Sequence, residues 1–210
     1  MSEATVSRAF VDRDRERAAD SFGMWIFLAT EAMLFGAILV GYLIIRLKYH
    51  AAFAGGSHAL SLPIGTVNTT ILLTSSFAMA VAVETAKSGG GRIVRRALAA
   101  TAALGLAFIA LKGFEYWKDV EEGLLPLLGP FHYGGPDPHH AALFFNIYLM
   151  MTGIHATHLI VGIGLVAYLA APSRLPEGRQ AQRIESVGLY WHFVDIVWVI
   201  LFPLLYLVQP

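Results

Sequence analysis

The sequence predicts an all-α membrane protein, a bundle of five transmembrane helices, from its composition, its apolar segments and its charge distribution. Of its 210 residues, 56% are hydrophobic and 14% are charged, and the mean hydropathy is +0.59. A soluble globular chain carries about 25% charged residues. Fifteen basic residues balance fifteen acidic ones, so no net field attracts nucleic acid and we expect no nucleic-acid partner.

Five segments are long enough to cross a bilayer, which takes about 20 apolar residues in a helix. We predict a cytoplasmic amino-terminal arm at residues 1–20 and a transmembrane domain at residues 21–210. The predicted spans lie at about residues 22–46, 63–86, 95–117, 142–171 and 186–208. The alternating segments of about 10 residues that mark membrane β-barrels do not occur. Segment 119–140 is rich in Pro and Gly and is predicted to be a long outer loop.

The first three spans differ in their polar content. The first has one interior charge, Glu31. The second is rich in hydroxyl groups and includes Asn68, which indicates a helix contact surface. In the third, Lys112 and Glu115 stand three residues apart near one end, and we expect them to form an interfacial ion pair.

The fourth and fifth spans contain four ionisable residues that are predicted to lie inside the membrane. The fourth contains His155 and His158 but no Asp, Glu, Lys or Arg, and the fifth contains His192 and Asp195. At 1.5 Å per helical residue, these four and Glu31 fall in one layer of the cytoplasmic half of the membrane. Ionisable groups at such depth are costly and are functional candidates.

The layer of Glu31, His155, His158, His192 and Asp195 has three interpretations that the residues alone leave open. The histidines can ligate a metal ion or a haem. The acids and imidazoles can relay protons. Alternatively, the groups pair with one another and fix the register of the helices.

Basic residues set the predicted orientation, because cytoplasmic loops carry an excess of Lys and Arg. Eleven of the fifteen lie in the arm, between spans two and three, or between spans four and five. The amino terminus is therefore predicted to be cytoplasmic and the carboxyl terminus outside. Aromatic residues near the predicted span ends are expected to form a belt without chemical roles: Trp25, Tyr42, Tyr49, Trp117, Tyr190 and Tyr206.

The absence of cysteine from the 210 residues limits the redox chemistry of the chain. Without thiolates it cannot hold an iron–sulfur cluster, thiolate-bound zinc or copper, or a covalently attached c-type haem. A cysteine nucleophile and disulfides are excluded for the same reason.

One motif in each span resembles the cytochrome c oxidase subunit III family of the haem–copper terminal oxidases, in its five-helix bacterial type. The motifs follow in family order: FLATEAMLFGAILVGYLIIR (27–46), VNTTILLTSS (67–76), LGLAFIALKGFEY (104–116), TGIHATHLIVG (152–162) and WHFVDIVWVILFPLLY (191–206). Five ordered motifs covering nearly all of residues 22–207 make the resemblance specific.

The resemblance implies a subunit of the bacterial inner membrane that itself carries no haem or copper. It implies packing against the catalytic subunit I, with subunit II in the same complex and with phospholipid bound. The haems and copper, and the contact with cytochrome c or another donor, belong to partner subunits. Family members protect subunit I during turnover and help sustain proton uptake. Glu31 matches the carbodiimide-reactive carboxylate of the family, and Glu115 matches the acid that ends its third motif.

The chain also departs from the family pattern. Many relatives have seven helices, and their lipid cleft involves two that this chain lacks. The loop from Lys118 to Ala142 is longer than in the mitochondrial type, and Lys112 replaces a glutamine. Pro172 stands where a lipid-binding arginine is expected, and Arg174 is the candidate lipid headgroup contact instead.

Several functional alternatives remain from the sequence. The nearest is subunit III of a quinol oxidase, or the homologue associated with nitric oxide reductase. A membrane cytochrome with bis-histidine haem ligation and a small transporter belong to different classes. A Soret band of the isolated chain identifies the former, and uptake by the reconstituted chain identifies the latter.

Overall fold

The computed structural model describes residues 3–135, 137–171 and 177–207, and within these ranges the chain is helical with no strand. The six helices are α1 Glu3–Lys48, α2 His50–Ala59, α3 Leu62–Lys87, α4 Gly91–Glu121, α5 Pro138–Ala170 and α6 Glu177–Tyr206. All except α2 are long and apolar enough to cross a membrane. The prediction of an all-α bundle with five candidate spans is confirmed.

Helices α3, α4, α5 and α6 form a closed four-helix bundle. Each packs on two neighbours, in the cyclic order α3, α4, α5, α6. Close approach in the bundle depends on small residues, as at Gly105 of α4, where a Cβ atom would lie 2.8 Å from Trp191 and 2.9 Å from Ile163. Helices in lipid associate through such packing because lipid is as apolar as their side chains.

Helix α1 lies outside this four-helix bundle. It packs chiefly on α6, with further contacts to α2. Only 17% of the most apolar part of α1 is buried, compared with 44% for α6. The first span is therefore attached along one side, and most of its apolar surface is open to lipid or to another chain.

The short helix α2 was not predicted, because ten residues rich in Ala and Gly give neither the length nor the hydropathy of a span. It packs on α5. Phe53 of α2 contacts Phe144 edge-on, with ring centroids 5.4 Å apart. Gly56 permits this approach, since a Cβ atom there would overlap the Phe144 ring.

The prediction of a loop at 119–140 is wrong at both of its ends. Helix α4 continues to Glu121 because Asp119 extends its buried stripe by one turn beyond Glu115. Helix α5 begins at Pro138, where proline is tolerated at the first helical position and Asp137 caps the helix. The connection packs on the bundle through Phe131, whose ring centroid is 6.0 Å from that of Phe145.

Candidate functional site

Glu31 and His158 form a polar contact between α1 and α5 of the four-helix bundle. Glu31 Oε2 lies 2.9 Å from His158 Nε2, and the side chains are 17% and 18% exposed. The other ring nitrogen, Nδ1, donates to the backbone carbonyl of Ile154 at 2.9 Å. A carbonyl oxygen only accepts, so Nδ1 carries a proton and one further proton lies between Nε2 and the carboxyl group. The pair is electrically neutral whichever partner holds that proton.

The other members of the predicted layer lie apart from this pair. His192 Nδ1 is 2.8 Å from the hydroxyl of Ser76 on α3. His155 is fully buried against the rings of Phe108 and Trp198. Asp195 is 3% exposed, and neither of its carboxyl oxygens has a hydrogen-bond partner. Of the five residues predicted to share one layer, the structure brings only Glu31 and His158 into contact.

His155 and His158 are offset by about 60° around the helix axis, and at this offset their rings meet different neighbouring helices. His155 faces α4 and α6, whereas His158 faces α1. In the described ranges, no three His, Asp or Glu side chains come together closely enough to hold a metal ion. Among the described residues, the arrangement therefore offers no cluster of three such ligands for a metal ion.

Lys112 lies at the centre of a hydrogen-bonded cluster that we call the lysine network. Its Nζ donates to Glu115 Oε2 at 2.9 Å, to the Tyr148 hydroxyl at 2.9 Å and to the Tyr206 hydroxyl at 2.6 Å. Tyr206 passes a hydrogen bond to Glu115 Oε1 at 2.7 Å, and Tyr148 passes one to Asp119 Oδ2 at 3.3 Å. All three ammonium donors are used, and each tyrosine hydroxyl both accepts and donates.

The lysine network is buried, with the side chains of Lys112 and Glu115 only 3% and 1% exposed. We expected this ion pair at an interface, and the structure places it inside the helix bundle instead. Aromatic rings enclose the ammonium group, and the Tyr148 centroid is 4.7 Å away. A buried charge is tolerated only when it is paired and hydrogen-bonded. The surrounding tyrosines meet that requirement, and no sequence motif marked Tyr148 or Asp119 beforehand.

Three tyrosines assigned to the aromatic belt are buried and hydrogen-bonded instead. Tyr206 belongs to the lysine network and is 5% exposed. Tyr190 donates to the backbone carbonyl of His158 at 2.9 Å. Tyr42 of α1 donates to the carbonyl of Leu204 at 2.5 Å, close to the end of α6. Their positions near span ends suggested a belt, but neighbouring helices cover them.

Polar contacts occur at a regular spacing along α1, which was not predicted. Asp20 accepts a hydrogen bond from Gln182 at 2.9 Å, Glu31 contacts His158, and Tyr42 bonds to Leu204. These three α1 residues are 11 positions apart, which is close to three helical turns. They therefore share one face of the helix, and the 11-residue spacing is the signal in the sequence that identifies them.

A charged contact outside the spans fixes the start of α5. Asp137 accepts from the backbone N–H of His140 at 3.3 Å and from its ring Nδ1 at 2.7 Å. The hydrogen bond from the His140 side chain lowers the pKa of the Asp137 carboxyl group. The His140 ring also stacks on Tyr49, with centroids 3.8 Å apart, so this contact ties α5 to the junction of α1 and α2.

The remaining predicted site residue, Arg174, lies outside the described residues.

Comparison with known proteins gives one consistent family. The family model described as cytochrome c oxidase subunit III matches residues 14–209. Cytochrome c oxidase subunit 3 of Thermostichus vulcanus is 33% identical over 88% of this chain and 85% of that protein. The probable quinol oxidase subunit 3 of Staphylococcus haemolyticus is 26% identical over 93% of this chain and 92% of that protein. In the haem–copper oxidase subunit I+III of Aeropyrum pernix, 32% identity covers 93% of this chain and 23% of the longer protein.

Proposed function

The chain belongs to the cytochrome c oxidase subunit III family, and from this premise we propose that it is a non-redox accessory subunit of a respiratory haem–copper oxidase. In this role it stabilises the catalytic subunit I and supports proton uptake during oxygen reduction. The observation that carries the proposal is the extent of the family match, residues 14–209, which includes all five candidate spans.

The Glu31–His158 pair is the group best suited to the supporting role. It holds one exchangeable proton between two titratable side chains, and both side chains remain partly exposed. The net charge of the pair stays the same when that proton moves from one partner to the other, because the carboxylate and the imidazolium form together. The pair also joins α1 to α5. Because α1 has few contacts with the bundle, a change in the protonation of this pair would also affect how α1 is attached.

The proposed partners follow from the family. Subunits I and II supply the haems and the copper, and they alone meet cytochrome c or another donor. The naming of the Aeropyrum pernix relative as subunit I+III supports subunit I as the direct neighbour. Phospholipid is the expected ligand of the lipid-facing surface, with Arg174 as a candidate headgroup contact.

The proposed setting is the cytoplasmic membrane of a bacterium. Residues 1–20 form the cytoplasmic arm, residues 21–210 form the membrane domain, and the carboxyl terminus lies outside. Eleven of fifteen basic residues on one side support this orientation. Reporter fusions at the connections after α3 and α4 check it, because a cytoplasmic reporter should be active only after α3.

The stabilising role is tested on the purified oxidase with and without this chain. We expect the complex without the chain to lose oxygen-reducing activity sooner during continuous turnover, while its haem content is unchanged. A Glu31→Ala variant should shorten the active lifetime in the same direction. The matched control is Glu84→Ala, because Glu84 is 78% exposed in a pair with Lys87 at the end of α3. Equal lifetimes for all four complexes would contradict the proposal.

A quinol oxidase is the second candidate, and the match to the Staphylococcus haemolyticus protein along 93% of this chain favours it. Oxygen uptake by one purified complex, supplied in turn with reduced cytochrome c and with a quinol, distinguishes the donors. Activity with only the quinol would assign this chain to a quinol oxidase. A Soret band of the isolated chain would overturn both assignments.

A further inference from the structure

Three buried side chains inside the four-helix bundle have polar atoms without partners. Asn68 of α3 and His155 of α5 are fully buried, and Asp195 of α6 is 3% exposed. The two side-chain oxygen or nitrogen atoms of each residue lack a hydrogen bond, six atoms in all. Buried polar atoms in proteins are nearly always bonded to protein or to ordered water. Each of these atoms therefore calls for a partner.

Contacts between the helices place Asn68 and His155 at the same level of the bundle. The indole nitrogen of Trp198 donates to the hydroxyl of Thr69 at 3.0 Å, which sets Trp198 beside the residue that follows Asn68. The His155 ring lies 5.2 Å from the Trp198 ring. Asn68 and His155 thus approach this level from α3 and α5, which are opposite each other in the bundle.

Asp195 stands three residues before Trp198 on the buried face of α6. Three residues correspond to a rise of about 4.5 Å along the helix. The His155 ring lies beside Trp198, and no hydrogen bond joins either of its nitrogens to a carboxyl oxygen of Asp195. A water molecule between the two side chains can bond to both.

Nearby donors of the protein are already engaged. The Trp198 indole bonds to Thr69, and the Trp191 indole bonds to Ser75 at 3.2 Å. The Ser76 hydroxyl contacts His192 Nδ1 at 2.8 Å and also lies beside Asp195, so its single proton serves only one of these two neighbours at a time.

We propose that the interior of the α3–α6 bundle binds internal water molecules, held by Asn68, His155 and Asp195. Water satisfies all three because it donates to the carboxylate, accepts from the amide and does either with the imidazole. A buried water typically makes about three hydrogen bonds, which matches a site lined by three polar side chains.

The hydrated layer lies next to the lysine network. Lys112 Nζ is 5.4 Å from the same Trp198 ring that contacts His155. Bound water therefore extends the polar interior of the bundle from the lysine network to Asp195. Hydration of the bundle interior is independent of the proposed function, and it is measured by readouts other than oxidase activity.

The first test is a structure of the intact complex at a resolution that shows ordered water. We expect density within about 3.2 Å of polar atoms of Asn68, His155 and Asp195. An interior without such density, in which the three side chains bond directly to one another or to other protein groups, would overturn the proposal.

The second test is radiolytic hydroxyl-radical footprinting of the intact complex in water labelled with oxygen-18. Phe108 and Phe145 are both fully buried, but only Phe108 contacts His155, whereas Phe145 packs among other aromatic rings. We expect several-fold more oxygen-18 incorporation at Phe108 than at Phe145. Equal, low incorporation at both would show a dry interior.

A matched pair of variants assigns the labelling to the site. His155→Leu removes the polar atoms at similar volume and should reduce Phe108 labelling to the level of Phe145. His155→Gln keeps a polar side chain and should retain the excess. If His155→Leu does not assemble, the ratio of Phe108 to Phe145 in the unmodified complex decides. Undiminished labelling in an assembled His155→Leu complex would contradict the proposal.

Discussion

The lysine network and the Glu31–His158 pair place ionisable groups in the spans in opposite ways. The network is sealed, and its Lys112–Glu115 pair is 3% and 1% exposed with the hydroxyl groups of two tyrosines as further partners. In the other pair, the side chains of Glu31 and His158 are 17% and 18% exposed. Glu31 belongs to α1, which has fewer contacts with the bundle than the bundle helices have with one another. A sealed network makes removal of one charge costly, whereas a partly exposed pair remains accessible from outside the bundle. The comparison thus separates a buried structural site from the pair to which we assign proton exchange as a proposal.

The largest expected effect is that of Lys112→Met, which leaves two carboxyl groups buried without their cation. Breaking a buried ion pair by removing one partner costs about 3–5 kcal/mol. We expect loss of this chain from the purified complex, measured by its stoichiometry and by the temperature at which it dissociates. The control is Lys118→Met, since Lys118 pairs with Glu122 on the surface and is 45% exposed.

A double variant sharpens this result. Lys112→Met combined with Glu115→Leu removes both charges of the pair and should recover part of the lost stability, because an apolar pair of similar volume can replace a buried ion pair. A double variant that is less stable than Lys112→Met alone would contradict the account of the lysine network.

The next largest expected effect is a difference in chemical labelling between Glu31 and Glu115. A hydrophobic carbodiimide reacts with a carboxyl group that it can reach from the membrane. We expect mass spectrometry of the labelled complex to find the adduct on Glu31, which is partly exposed, and none on the buried Glu115. Preferential modification of Glu115 would reverse the comparison.

A smaller effect is expected from breaking the half-open pair. Interhelical polar contacts in membranes average about 0.6 kcal/mol and reach about 1.7 kcal/mol. A double-mutant cycle of Glu31→Leu and His158→Leu should give a coupling energy in that range. Hydrogen exchange of α1 in the intact complex provides the second measurement, and both single variants should accelerate it equally. A coupling energy of about 3–5 kcal/mol, as expected for the buried Lys112–Glu115 pair, would contradict the distinction between the two sites.

The smallest expected effect is at Asp137, outside the spans. Its hydrogen bond from His140 lowers its pKa below the ordinary value of about 3.9. A carboxyl group of this kind stabilises the folded state above that ordinary value and loses its contribution as pH falls through the lowered pKa. Protection factors for amide hydrogen exchange in the first turn of α5, which correct for the intrinsic pH dependence of exchange, should therefore fall at acidic pH, and those of wild type and Asp137→Asn should converge there. A difference that persists at low pH would contradict this.

The fold was predictable from sequence because membrane spans are encoded locally. A run of about 20 apolar residues identifies a span without knowledge of its neighbours, and the five candidate spans are confirmed on that basis. The short helix α2 was missed because its ten residues, rich in Ala and Gly, form a helix supported by contact with α5.

The candidate site was less predictable because its contacts join distant positions. Lys112 and Glu115 are three apart and were paired from sequence, but Tyr148 and Tyr206 follow Lys112 by 36 and 94 positions. Depth along a span does not specify the direction a side chain faces, so His155 and His158 were grouped although they meet different helices. Asn68 was read as part of a contact surface, and its lack of a partner is visible only in three dimensions.

The even spacing of Asp20, Glu31 and Tyr42 makes α1 sensitive to insertions and deletions. One residue added between Glu31 and Tyr42 would swing everything beyond it by about 100° around the helix axis. Tyr42 would then turn away from Leu204, and the part of α1 that follows the insertion would lose its hydrogen bond to the end of α6. An added segment of 11 residues would preserve the angle but overshoot the bilayer by about 16 Å. The number of residues between the three contacts of α1 is therefore constrained by the helix geometry, in addition to the identity of the contacting residues.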